Sequence, residues 1–172
     1  RTKSFNAFSS IDYPETAVFR DMRLIPFLRR PDPMPPVQFY EQLDPAVFVL
    51  RLVPGMRADI IPLLAPHYRA LVVESFGVGG LPGGEHGEMY ARLQDWCTSG
   101  RLAVFTTQVP HEGCDLAVYE VGRSVKELPG VLEAKDMTPE AVAVKLMWAL
   151  GQTTDRAEAM RLFTTPVEWD IV

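Results

Sequence analysis

Ala70-Leu71-Val72-Val73-Glu74-Ser75-Phe76-Gly77-Val78-Gly79-Gly80-Leu81-Pro82-Gly83-Gly84 is the stretch on which the reading of this chain turns. A short apolar run rich in β-branched residues passes abruptly into five glycines and a proline. Such a run, closed by Gly and Pro, reads as a buried strand emptying into a loop. Open α/β sheets bind ligands at the carboxyl ends of their strands, so the loop is expected to meet a ligand or a partner.

The segments on either side repeat the pattern. Upstream, Ala46-Val47-Phe48-Val49-Leu50-Arg51-Leu52-Val53 is a strand closed by Pro54-Gly55, and Ala58 to Leu64 is a short helical or irregular piece. Downstream, Met89, Leu93, Trp96 and Cys97 fall at i, i+4, i+7 and i+8, one face of an amphipathic helix over residues 85 to 99 that Gly100 stops. Leu102 to Val109 is a third strand, and Val131-Leu132-Glu133-Ala134 a fourth, edge-like one. Thr138-Pro139-Glu140 supplies an N-cap, a proline at the first helical position and a carboxylate where the helix dipole favours it. That helix runs over residues 139 to 150, burying Val142, Leu146 and Leu150. A last one, around Asp155 to Phe163, places Ala159, Leu162 and Phe163 on one side.

Alternating strands and helices predict a three-layer α/β domain with a small parallel sheet of about four strands and right-handed crossovers. Before it, residues 1 to 28 carry short apolar patches and turn residues, which fits a β-hairpin arm. Four prolines between Pro31 and Pro36 then mark a linker, taken as residues 29 to 45, with the α/β domain at 46 to 172.

Composition narrows the function. With 172 residues, 47% hydrophobic and 23% charged, the chain is globular and large enough to bury a core. A formal net charge of −5 and the lack of a basic stripe argue against a nucleic-acid partner. Cys97 and Cys114 are too few for a disulfide framework and point to a reducing cytosol. No apolar run reaches the roughly 20 residues that span a bilayer, and no signal-like stretch opens the chain, so the expectation is a cytoplasmic protein without a membrane partner. The chain opens on Arg1, as a processed or partial chain would.

The motifs that could carry chemistry mostly fall short of it. A dinucleotide fingerprint G-x-G-x-x-G starting at Gly77 needs glycine at position 82, where Pro82 stands, so no nucleotide cofactor is expected. His67, His86 and His111 show no metal spacing, and His111 with Cys114 is a single pair, so no metal is expected either. A Cys114 nucleophile would need His111 as its base, three residues away in a Pro/Gly loop. Glu74, inside an apolar strand, needs a partner and is read as a salt-bridge residue at an interface. Thr106-Thr107-Gln108 offers two hydroxyls and an amide beside the glycine loop if the two strands are neighbours; the alternative is ordinary capping of a crossover.

Taken together, several stretches resemble the C-terminal half of bacterial type I (cytosolic) L-asparaginases. They are Leu52-Val53-Pro54-Gly55, Val72 to Gly79, Thr107-Gln108, Gly113 with Tyr119 and Gly122, and Asp136-Met137-Thr138-Pro139-Glu140-Ala141 with Lys145-Leu146. Phe5-Asn6-Ala7-Phe8-Ser9-Ser10 is similar to the segment following that family's catalytic lysine, which makes residues 1 to 28 a remnant of an N-terminal domain. The resemblance implies an amidohydrolase that turns asparagine and water into aspartate and ammonia through threonine attack and an acyl-enzyme, with no cofactor. It implies that the catalytic residues belong to the N-terminal half: none is expected here, Lys3 is read as an ordinary charged residue, and the chain alone is expected to be inactive.

The resemblance further implies a homodimer or homotetramer in which the loop, with Gly77, Gly79, Gly80 and Pro82 as substrate-adjacent positions, approaches a neighbouring subunit's active site. Gly80 and Leu81 stand where many members have Asn and Gly, so the loop is expected to act through its backbone as a lid or interface. Some members hold an allosteric asparagine with an Arg and a Cys; Glu74-Ser75 and Val109 occupy those regions, so no such site is expected. The alternative from another class is a non-catalytic α/β module that binds a small ligand or a partner. A related alternative, the asparaginase-like subunit of an amidotransferase acting on charged tRNA, is disfavoured by the absence of a basic face.

Overall fold

The computed structural model describes residues 11, 14–28, 36–84 and 87–171. Residues 1–10, most of the proline-rich segment and His86, on which some sequence expectations rest, lie outside them. The chain divides into two units, Arg1–Glu41 and Gln42–Val172.

In the first unit β1 (Ala17–Arg20) pairs antiparallel with β2 (Arg23–Pro26), Arg20 opposite Arg23. The two connecting residues, Asp21 and Met22, both have positive φ (48° and 61°), the combination whose twist matches a two-residue hairpin. This is the expected hairpin.

The second unit holds a four-stranded, wholly parallel sheet in the order β3 (Val47–Arg51), β4 (Ala70–Ser75), β5 (Leu102–Thr107), β6 (Val131–Glu133). The connecting helices are α1 (Ile60–Leu64), α2 (Glu88–Thr98) and α3 (Glu120–Lys126); α4 (Pro139–Gln152) and α5 (Arg156–Thr164) follow β6. Because the strands advance in one direction across the sheet, crossovers of a single hand put α1, α2 and α3 on one face. There Leu71, Val73 and Phe105 pack with Ile61, Leu93, Trp96 and Val125. The other face, with Val72, Val104 and Leu132, is covered by α4 and α5 through Val142, Leu146, Ala149 and Phe163.

With both faces covered, every residue of β5 is buried, as in other parallel sheets whose strands read as continuous apolar runs. The three-layer α/β class read from the sequence is the one observed. All four residues on the predicted face of α2 are buried. The predicted Thr138 cap forms, its hydroxyl accepting from the Ala141 amide at 3.4 Å, and α5 is capped as well, by the Asp155 carboxylate accepting from the Glu158 amide at 2.7 Å. One element was not expected. The segment read as a bare connection after β5 contains α3, whose Gly122 and Val125 are buried.

Candidate functional site

The glycine loop closes on itself as soon as β4 ends. Phe76 and Gly80 exchange backbone hydrogen bonds, with the Gly80 amide donating to Phe76 O at 2.7 Å and the Phe76 amide to Gly80 O at 3.0 Å; the Gly79 amide also donates to Phe76 O, at 3.2 Å. Gly77 and Gly79 have positive φ (50° and 154°), which L side chains rarely adopt. At Gly79 the demand is doubled, since a Cβ would come within 2.9 Å of Leu116 Cδ2.

Neighbouring elements fix the turn. The strand carrying Thr106-Thr107-Gln108 does lie beside the loop, as β4 and β5 pair. Its polar groups hold backbone instead of facing a cleft. Thr107 Oγ1 donates to Gly77 O at 2.5 Å and accepts from the Val109 amide at 3.0 Å. Gln108 Nε2 donates to Leu52 O at 2.7 Å and to Glu74 O at 2.8 Å, tying the carboxyl ends of β3, β4 and β5 together. Ser75 Oγ, fully buried, donates to Thr106 O at 2.8 Å. These are the capping roles offered as the alternative reading of that motif.

A second segment, 113–119, packs on the loop from the side of β6. The Cys114 amide donates to Lys135 O (2.7 Å) and the Asp115 amide to Val78 O (3.2 Å). Glu133, at the end of β6, uses both carboxylate oxygens: Oε1 accepts from the Leu116 amide at 2.8 Å, and Oε2 lies 2.9 Å from Lys126 Nζ. The hydrogen bond that Lys126 donates to Glu133 raises the lysine's pKa above its ordinary value. Between loop and segment opens a cleft of about 550 Å³ lined by Phe76, Gly77, Gly80, Leu81, Gly84, Tyr119, Glu120 and Val121. Gly77 and Gly80 therefore line it, Gly79 lies against Leu116 behind it, and Pro82 is not part of its wall.

Cys114 is no nucleophile in this setting. Burial, with the charges of Glu133 and Asp115 added, pushes its thiol up to about 12, so it is neutral at pH 7. Glu74 pairs with Arg51 on the adjacent strand at 3.3 Å, so its partner lies within the sheet. Among the described residues no group of three or more His, Cys, Asp or Glu could hold a metal ion, and no helix is long and apolar enough to cross a membrane. Glu133 and Asp115, which organise the segment facing the loop, were missed in the sequence. The one mark that could have found Glu133 is a lone carboxylate closing an apolar strand, which it shares with Glu74.

A family model described as the glutaminase/asparaginase C-terminal domain matches residues 46–163. The chain belongs to this family. It is 35% identical over 170 residues to an L-asparaginase of Thermococcus kodakarensis, covering 96% of this chain and 50% of that protein. It is 34% identical over 171 residues to a glutamyl-tRNA(Gln) amidotransferase subunit of Metallosphaera sedula, covering 95% of this chain and 37% of the relative. Among solved structures, the thermostable L-asparaginase of T. kodakarensis superposes with a TM-score of 0.90 at 33% identity, over 100% of this chain and 52% of the other. L-asparaginase I of Vibrio cholerae, at 24% identity and a TM-score of 0.83, shares the fold over 96% of this chain and 50% of its own. This asparaginase C-terminal domain thus spans about half the length of the L-asparaginases it matches, and its likeness to their C-terminal half, read from the motifs, is borne out.

Proposed function

We propose that the chain serves as the C-terminal part of an L-asparaginase, supporting assembly and a neighbouring subunit's active site. The observation that carries this reading is 35% identity to an L-asparaginase over 170 residues, together with a TM-score of 0.90 to a solved one. In this reading residues 46–172 are the α/β domain, 29–45 a linker, and 1–28 a remnant of the N-terminal domain that supplies the threonine nucleophile and its activating groups.

The geometry of the loop supports a positioning role. The amides of Gly79 and Gly80 are spent on Phe76 O, the carbonyl of Gly77 on Thr107 and that of Val78 on Asp115, so the turn is rigid before any ligand arrives. A rigid wall without side chains excludes water and shapes a cleft at little ordering cost on binding. Of the four loop positions Gly77, Gly79, Gly80 and Pro82, Gly77 and Gly80 are the substrate-adjacent ones in this proposal, since they line the cleft. The strand order also supports completion from outside: it advances without reversal, so the sheet has no internal crevice of the kind that binds ligands where strand order reverses. An N-terminal domain from a neighbouring subunit would close the cleft, which fits a homodimer or homotetramer. Two buried free cysteines fit a reducing cytoplasm.

The relatives named as glutamyl-tRNA(Gln) amidotransferase subunits favour a second reading, amide hydrolysis coupled to charged tRNA. The net charge of −5 favours the free amino acid over a polyanion. Ammonia release distinguishes them. The full gene product is expected to release ammonia from L-asparagine without tRNA, with hyperbolic dependence on asparagine, and the isolated chain to release none. Turnover by the isolated chain would remove the proposed division of labour. Activity only on glutamine, or only with charged tRNA present, would favour the amidotransferase reading, and sigmoidal asparagine kinetics would contradict the absence of an allosteric site.

A further inference from the structure

Glu133 touches the framework of the glycine-loop cleft without lining the cleft itself. Its contact with that framework is Leu116, which is fully buried between the two walls. On one side Leu116 Cδ2 lies where a Cβ on Gly79 would meet it at 2.9 Å, and on the other its carbonyl oxygen leaves no room for a Cβ on Gly122 of α3. The walls also meet directly, since a Cβ on Gly77 would stand 3.8 Å from the Tyr119 ring. The loop wall is fixed by its own backbone bonds and by Thr107. The other wall, residues 113–119, lies outside the helices and strands and takes its position from what it is bonded to.

Three successive amides of that wall donate to other elements: Cys114 to Lys135 O at 2.7 Å, Asp115 to Val78 O at 3.2 Å and Leu116 to Glu133 Oε1 at 2.8 Å. Only the third acceptor belongs to a side chain, so it is the one a substitution can remove while leaving the backbone alone. The end of β6 is bent to receive the wall. Lys135 offers its carbonyl to Cys114 from a φ of +53°, and a Cβ on Gly113 would come within 3.0 Å of the same oxygen. A non-glycine residue persists in that region only where the surroundings over-determine it, and such residues cluster where placement matters to function.

Glu133 is itself held. Its Oε2 pairs at 2.9 Å with Lys126, in the last turn of α3, and its side chain is largely buried. The carboxylate therefore joins the start of the wall to the far end of the helix into which the wall leads. Tyr119, Glu120 and Val121, which line the cleft, lie on the stretch of chain between those two anchor points. We propose that Glu133 is a positioning residue of this cleft: by holding the Leu116 amide it sets the spacing between the wall bearing Tyr119 and the glycine loop, and with it the affinity for the amino-acid amide. The inference rests on the reading above, in which the cleft faces a neighbouring subunit's active site. In that reading the reacting groups come from the N-terminal half, so a displaced wall weakens binding without altering the chemical step: KM rises while kcat holds.

The test is steady-state kinetics of the full gene product on L-asparagine, with denaturation midpoints measured in parallel. Glu133→Ala leaves the buried Leu116 amide without its acceptor, and KM is expected to rise about fivefold or more with kcat within about twofold of the parent. Glu133→Gln keeps an oxygen for that amide and gives up only the charge toward Lys126, so it is expected to restore most of the parental KM. Phe163→Leu, in the core on the opposite face of the sheet, is expected to lower the midpoint and leave KM as it is. Should Glu133→Ala not fold, Glu133→Asp, one methylene short of Leu116, is compared with Glu133→Gln in its place. A lowered midpoint with unchanged KM in the Ala or Asp variant would make Glu133 merely structural and overturn the proposal. So would a Gln variant as impaired as Ala, or a Phe163→Leu variant whose KM rises equally. A parent that releases no ammonia from asparagine would remove the functional reading together with this inference, whereas an active parent whose KM ignores residue 133 removes the inference alone.

Discussion

Gln108 carries more of the site's geometry than its half-buried side chain advertises. One amide nitrogen serves two carbonyls, Leu52 O and Glu74 O, on two different strands. Gln108→Leu removes the donor to Leu52 O, while Glu74 O keeps the Leu52 amide at 3.1 Å, and a loss of about 1–3 kcal/mol is expected, read from the denaturant midpoint of the full protein. The Arg51–Glu74 pair beside it joins an exposed guanidinium to a largely buried carboxylate, so Arg51→Gln, which keeps an amide donor, is expected to cost about 1 kcal/mol. A Gln108 variant as stable as the parent would remove the amide from its bridging role. Cys114 makes the complementary statement about pH. Its thiol ionises near 9.0 in an exposed setting and is pushed up to about 12 in the fold. Below about pH 9 both states hold the proton and its contribution to stability is fully present. As pH rises from there toward 12 the unfolded chain loses the proton first, so stability falls. Cys114→Ala is expected to flatten part of the alkaline decline in denaturation midpoints between about pH 9 and 11, the rest coming from Cys97, pushed up to about 11, while an equal slope in parent and variant would contradict it.

At the scale of elements, the divide between what could be read and what could not follows from where each element gets its order. α4 announces itself because Thr138 and Pro139 act locally, through a cap that needs only a few neighbouring residues, and α5 because Ala159 and Phe163 share one buried side of a short helix. The strands were legible because burial on both faces leaves a continuous apolar run. α3 was not, since Glu-Val-Gly-Arg-Ser-Val-Lys combines a glycine and a serine with only two apolar residues, Val121 and Val125, over a single i, i+4 step. Its helical state is imposed from outside. Gly122 lies against the Leu116 backbone, and Lys126 reaches Glu133 on β6. Gly122→Ala would raise intrinsic helix propensity yet force a Cβ into the Leu116 carbonyl, so a net loss of about 1–3 kcal/mol is expected in thermal or chemical denaturation. A stabilised variant would mean that the segment yields. The candidate site was half legible for the same reason: its glycines are a local signal, whereas Asp115 and Glu133 acquire meaning only once β6 brings them to the loop.

For the whole molecule, the sheet's unbroken strand order is the governing fact. Each of its three crossovers is completed within a short stretch of chain, and together they cover one face only. The opposite face depends on α4 and α5, which come last. On the ribosome, where the amino-terminal segments emerge first at about 5–20 residues per second, β3 to β6 can pair while Val72, Val104 and Leu132 still face water. This nascent sheet stays sticky until the final two helices leave the exit tunnel, so synthesis itself, by pausing or running fast over residues 139–164, governs how long a chaperone has an apolar surface to hold.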